Sequence, residues 1–261
     1  MTKHGDQRLR VVLEAHHLNF SGRLHGGMAM TLLLEAMNEA AAGLAHGASS
    51  PARATVLSLN FEFIGSAGLG ATVDAQVSVT RAARTVLFLA CRLVSDGQTL
   101  TAASAVYRID PVADDPPLSN TPPAPVSTEG WDDLPVSVPH GRHIGPFYRR
   151  SDPGGQEVIG FVAEPFRLDN RGPVQVHDGA LLTLADMFTG WAVYQAVTDR
   201  HAVTLTLQVR RFDGARQGEW VEFRAAPALP TPSVGFADGM FHSAGRPLMS
   251  VSSAWKFTGP R

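Results

Sequence analysis

Two short stretches hold the residue types best suited to chemistry on a polar substrate. Leu24-His25-Gly26-Gly27-Met28 and Val176-His177-Asp178-Gly179-Ala180 each put a histidine and a glycine at the head of a helix-length apolar run. The first N–H groups of a helix lack intrahelical acceptors and lie at the positive end of its dipole. Those of Gly26 and Gly27 can therefore steady an oxygen that turns negative. Glycine at both positions also allows close approach to the backbone. Nine residues after His177, inside the second apolar run, stands Asp186. A carboxylate there is costly unless paired or used, and burial pushes its pKa up toward that of a general base. These are the parts of a reaction in which Asp186 either activates a water to attack a carbonyl or attacks it directly to give an anhydride, two routes the sequence does not separate. A histidine before a helix also serves as a cap, and His25 is assigned to shaping the loop rather than to proton transfer.

The surroundings of the two stretches also match in order. Each apolar run is followed by an alternating segment, Thr55-Val56-Leu57-Ser58-Leu59-Asn60-Phe61 in one half and Val203-Thr204-Leu205-Thr206-Leu207-Gln208-Val209 in the other. Further alternation over 71–79, 85–93 and 100–108 has counterparts over 220–226, 234–242 and 247–257, and this period of two marks strands. Ser95-Asp96-Gly97-Gln98 and Ser243-Ala244-Gly245-Arg246 read as the matching hairpin turns. Early strands are expected near 8–14 and 157–165. Each half thus reads strand, long helix, four strands.

The helices, over 27–44 and 179–197, are apolar nearly all round and so belong inside the fold. The expected class is α+β, and a long central helix wrapped by a curved antiparallel sheet in each half is one way to satisfy this pattern. Between the halves, Pro111, Pro116, Pro117, Pro122, Pro123, Pro125, Pro135 and Pro139 lie among Asp, Ser and Thr. Proline fixes φ and lacks a donor, so this stretch reads as an extended linker. The expected boundaries are 1–110, 111–139 and 140–261.

The 261-residue chain is 44% hydrophobic and 18% charged, which is incompatible with disorder as its main state. Its formal net charge of -2 gives no basic field for nucleic acid or for an anionic membrane. The polar start, 1–10, does not read as a signal peptide, and no apolar run reaches the ~18 residues of a membrane span. A single cysteine, Cys91, cannot form an internal disulfide, and a cytoplasmic setting is expected. A Gly-x-Ser-x-Gly elbow, a phosphate-binding Gly-rich loop and His-Glu-x-x-His are all absent from the sequence. No metal and no bound cofactor are expected.

The stretch Asn19-Phe20-Ser21-Gly22-Arg23-Leu24-His25-Gly26-Gly27, followed by a long helix, resembles the signature of hotdog-fold thioesterases of the PaaI-like type. In that family a helical Asp or Glu follows the His by nine residues, as Asp186 follows His177. Some members also carry a Ser or Thr eighteen residues beyond the acid that helps hold the attacking water, and here that residue is Thr204. The resemblance extends over both halves and implies a fused double hotdog.

The two copies differ at these positions. The first keeps Asn19, His25 and both glycines but has Leu34 in the acid's place, with Glu35 one residue on, about 100° around the helix. Its counterpart of Thr204 is Val56. The second keeps Asp186 and Thr204, yet Asp178 replaces a glycine and its Asn170–His177 loop is one residue longer. Asp186 should lie roughly 10 to 12 Å along the axis from the start of its own helix, too far to share a substrate atom with its own loop. In the resembled family, sites form across a two-fold axis. One composite site is then whole: Asn19, His25, Gly26 and Gly27 from the first half, Asp186 and Thr204 from the second. In it the Asn19 amide would be a second donor to the oxyanion. The reciprocal site of His177, Asp178 and Leu34 lacks its acid.

The resemblance implies hydrolysis of an acyl-CoA or of an acyl carrier protein thioester, with CoA entering only as part of the substrate. Arg210 and Arg211 are candidate contacts to CoA, as are Arg167 and Arg171 nearby. Two other readings compete: a non-catalytic acyl-CoA-binding module, and a hotdog-type dehydratase or hydratase. Exposed sheet edges or faces would also allow a homodimer.

Overall fold

The structure, a computed structural model, describes residues 8–46, 52–111, 126–136, 140–163 and 176–260. In chain order the elements are β1 (Arg8–Val12), α1 (Gly26–His46), β2 (Ala52–Phe63), β3 (Thr72–Ala82), β4 (Val86–Ser95) and β5 (Gln98–Pro111). There follow β6 (Asp132–Asp133), β7 (Tyr148–Ser151), β8 (Glu157–Val162), α2 (Asp178–Ala196), β9 (Arg200–Arg211) and β10 (Trp220–Ala225). The chain ends with β11 (Leu229–Pro230), β12 (Val234–Ser243) and β13 (Arg246–Pro260). Short 3₁₀ turns occupy Ala15–His17 and Gly141–His143.

All the strands join one sheet, in the order β1-β3-β4-β5-β2-β9-β13-β12-β10-β8-β7-β6, with β11 paired to β12. Every pairing is antiparallel. Outward from the central β2–β9 pair, the sheet reads β2-β5-β4-β3-β1 one way and β9-β13-β12-β10-β8 the other. In that central pair Asn60 stands opposite Gln208, 148 positions apart, the same offset that separates Val56 from Thr204. Both central strands bulge at matching places. The register slips between Val56 and Ser58 on β2, and across Thr204 and Thr206 on β9, leaving Leu57 and Leu205 as the extra residues. A bulge shifts the alternation by one, so Thr204 as well as Leu207 and Val209 can face the helices.

The two helices lie against this inner face. On β4 the alternation is clean, with Leu87, Leu89, Cys91 and Leu93 buried. Along α2 every residue from Gly179 to Asp186 is buried, as an all-round apolar helix demands. Burial pushes the Cys91 thiol up to about 12, so it behaves as a small apolar side chain. The helices meet at glycine: a methyl group added at Gly27 would stand 2.6 Å from the Thr183 Cα, and one at Gly179 would stand 2.7 Å from Thr31 Cγ2. The Thr31 hydroxyl donates to the Gly27 carbonyl at 2.9 Å and to the Gly179 carbonyl at 3.1 Å, joining the two helix starts.

The strands and helices fall close to the spans expected from periodicity, and both hairpin turns have their central pairs at positive φ: Asp96 and Gly97, Ala244 and Gly245. The segment read as a linker differs at its far end. Residues 132–133 pair with β7, and the Leu134 N–H donates to the Phe147 carbonyl at 2.9 Å. An aromatic anchor explains this: Trp131 meets Trp220 edge-on at 4.9 Å, and Arg150 lies 4.3 Å over the Trp131 ring. Residues 112–125 and 137–139 of that segment lie outside the described residues, as do most of the Asn170–His177 loop and Arg167 and Arg171.

Candidate active site

Asp186, in the third turn of α2, reaches the N-terminus of α1 rather than that of its own helix. A methyl group added at Gly26 would lie 2.7 Å from Asp186 Oδ2. The side chain is 8% exposed. Burial pushes its pKa up to about 6, against the lowering effects of hydrogen bonds from the Thr204 hydroxyl and the Gly27 N–H. The hydroxyl, on β9, donates to Asp186 Oδ1 at 2.8 Å. Replacing Thr204 with Val removes a donor that favours the charged carboxylate, so the Asp186 pKa should rise further. The acid limb of any Asp186-dependent rate should then move to higher pH, which a kcat–pH profile of Thr204→Val measures.

His25 is the cap of α1. Its Nδ1 accepts from the Gly27 N–H at 2.9 Å, which places the ring proton on Nε2. Burial pushes its pKa down to about 4, so the ring is neutral at pH 7. The 3.8 Å approach of His25 Nδ1 to Asp186 Oδ2 is thus a contact between two acceptors and not an ion pair. The Gly27 N–H serves both His25 and the carboxylate. The expectation put this N–H toward a substrate oxygen, and here it is engaged by groups of the protein. The loop before the cap is built by Asn19, whose Oδ1 accepts from the Ser21 N–H at 2.9 Å and the Arg23 N–H at 3.1 Å. Asn19 thereby orders the turn that delivers His25.

The second helix start has the same cap and different surroundings. His177 Nδ1 accepts from the Gly179 N–H at 3.0 Å, and its Nε2–H therefore donates to Glu35 Oε1, at 2.5 Å. The acid position itself holds Leu34, and the nearest acid is its neighbour. Leu34 is fully buried, but the neighbouring Glu35, half-exposed and one methylene longer than Asp, swings to the histidine. The acids meet opposite ring nitrogens: Asp186 approaches Nδ1 of His25, whereas Glu35 binds Nε2 of His177. Asp178, at the place of Gly26, is held by Arg211 Nε at 2.7 Å.

The two candidate CoA arginines do not act together. Arg211 faces inward and binds Asp178, whereas strand alternation turns Arg210 to the outer face of the sheet. There it lines a cavity of about 210 Å³ with Ser58, Asn60, Gln208, Ser250 and Ser252, on the opposite side from Asp186. Among the described residues no group of three His, Cys, Asp or Glu side chains is placed to hold a metal. No helix among them is long and apolar enough to cross a membrane.

The fold is that of hotdog proteins, with two helices against one large antiparallel sheet. Residues 21–102 match the family model of the thioesterase superfamily. Likeness to solved structures runs through the whole chain. A hotdog-fold protein of unknown function from Alicyclobacillus acidocaldarius is 17% identical with a TM-score of 0.68, over 100% of this chain and 96% of that one. An acyl-CoA thioesterase II of Mycobacterium marinum is 18% identical with a TM-score of 0.61, over 91% of each chain. An acyl-ACP thioesterase of Bacteroides thetaiotaomicron is 13% identical with a TM-score of 0.62, over 95% of this chain and 96% of that one. No curated protein matches the sequence.

Proposed function

We propose that the protein hydrolyses acyl thioesters, acyl-CoA or the equivalent acyl carrier protein thioester, at one composite site between two fused hotdog repeats. The repeats are residues 1–110 and 140–261, joined by 111–139. The mirrored strand order, the matched bulges and the Asn60–Gln208 pairing support the two-repeat reading. The observation that carries the functional reading is the buried Asp186 carboxylate of α2, raised to about 6 and set against Gly26 at the start of α1.

In the proposed reaction the thioester carbonyl oxygen sits at the α1 N-terminus, where the helix dipole and the amides of Gly26 and Gly27 favour a developing negative charge. Entry of that oxygen competes with both His25 Nδ1 and Asp186 for the Gly27 N–H and turns the carboxylate toward water. Asp186 then takes a proton as the water oxygen bonds to the carbonyl carbon. Thr204 holds one carboxylate oxygen, and Asn19 and His25 keep the loop in place. Collapse of the tetrahedral intermediate breaks the C–S bond, and the thiolate leaves to be protonated. No metal or separate cofactor takes part, and the setting is cytoplasmic.

At the reciprocal place the Asp178–Arg211 pair fills the α2 N-terminus with the protein's own carboxylate, which disfavours a second anion there. Glu35→Gln should therefore leave thioester turnover near the wild-type rate. The reading is tested by incubating the protein with short, medium, long and aromatic acyl-CoAs and following free thiol. Thiol release from at least one supports hydrolysis. Conversion to an unsaturated thioester without thiol, or binding without turnover, favours the dehydratase or the inert binder.

A further inference from the structure

We infer that His140, the first residue of the second repeat, just after the proline-rich joining segment, is a positioning residue of this site; the inference rests on the proposed hydrolase reading. His140 reaches across from outside both helices and fastens the two sides of the site to one another. Its Nδ1 lies 3.2 Å from the His16 carbonyl oxygen, which only accepts, so Nδ1 carries the proton. Its Nε2, 3.3 Å from Thr183 Oγ1, accepts that hydroxyl's proton. The His140 ring also packs against His25, with centroids 5.1 Å apart and planes tilted by 43°.

Each partner leads directly to the site. The residue after His16, His17, accepts the His25 N–H at 3.0 Å through its carbonyl, so the His16–His17 backbone carries the cap of α1. Thr183 is one helical turn before Asp186 and is the residue against which Gly27 is seated. His140 therefore bridges the loop holding His25 and the helix holding Asp186, the two parts whose separation sets the carboxylate against Gly26. The bridge is itself anchored. A methyl group added at the adjoining Gly141 would stand 2.7 Å from Met187 Cε. Ile144 is buried, and the buried Phe147 meets Phe188 edge-on at 5.6 Å. The imidazole is thus presented from a packed support, as precise positioning requires.

His140→Ala removes the bridge; His140→Asn keeps an N–H donor near the Nδ1 position, able to reach the His16 carbonyl. The test measures kcat and KM for thiol release in both variants, with thermal unfolding as the check on folding. Imidazole ¹⁵N spectra of His25 supply a readout that needs no turnover. In His140→Ala, kcat should fall roughly tenfold to a hundredfold with KM little changed, and His25 should lose its single Nε2–H tautomer. His140→Asn should recover most of both. Wild-type kcat in His140→Ala overturns the inference, as does a loss that tracks the folded fraction without rescue by Asn. Absence of thiol release by the wild type would sink the hydrolase reading alone. The His25 spectrum then decides the positioning, and an unchanged spectrum in His140→Ala refutes it.

Discussion

Asp186→Asn should unfold at a higher temperature than the wild type at pH 7.5 while its thioester turnover falls roughly 10²- to 10⁴-fold. Both effects come from one carboxylate. Folding moves the Asp186 pKa up from 3.8 to about 6, so between those values the folded protein binds more protons than the unfolded chain. Stability therefore falls as pH rises through this window, and above it the ionised group costs about 3 kcal/mol. The side chain is almost wholly buried, so solvent screening takes little from that figure. Asn is nearly isosteric, carries no charge and retains an acceptor for the Thr204 hydroxyl. Its advantage should be a rise of roughly 5 to 10 °C in Tm above pH 7, fading to nothing below pH 4. Scanning calorimetry of both proteins from pH 4 to 8 measures it. A Tm difference independent of pH would mean that the carboxylate is not held at a raised pKa.

The second large effect separates two adjacent glycines. At Gly26 an added methyl meets the Asp186 carboxylate, 2.7 Å from Oδ2, whereas at Gly27 it meets Thr183, 2.6 Å from Cα and Oγ1. A carboxylate at the end of a side chain can rotate away; a neighbouring helix backbone cannot. Gly26→Ala should therefore lose activity by displacing Asp186 while unfolding close to the wild-type temperature. Gly27→Ala must part the two helices, and overpacking of this kind costs about 1–3 kcal/mol. Chemical denaturation alongside thiol release tells them apart. Equal stability losses in the two variants would contradict the helix-to-helix placement of these residues.

Much of this site was legible in the chain because it depends on local rules. Histidine and glycine before an apolar run announce a helix start, and a lone carboxylate in such a run announces a buried acid. What brought Asp186 to the other helix was the mismatch between a helix rise and the nine-residue gap. The unread parts depend on distances that periodicity does not carry. Glu35 was set aside because it stands 100° from the acid position, yet one extra methylene takes it to His177. Thr204 was named through the resemblance, but the bulge at Leu205 that turns it to the site is invisible in a regular alternation. Arg210 and Arg211 could have been separated beforehand, since adjacent strand residues point to opposite faces. His140 sits behind proline-rich sequence with no period of its own, and only folding brings it to His25.

The account stands or falls on one acid in one place. Its most direct test is kcat/KM for thiol release, on whichever acyl-CoA the wild type cleaves best, in Asp186→Asn beside Glu35→Gln. We expect a loss of at least about a hundredfold in the first and near-wild-type activity in the second. Full activity in Asp186→Asn, or equal losses in both, would contradict a single composite site based on Asp186.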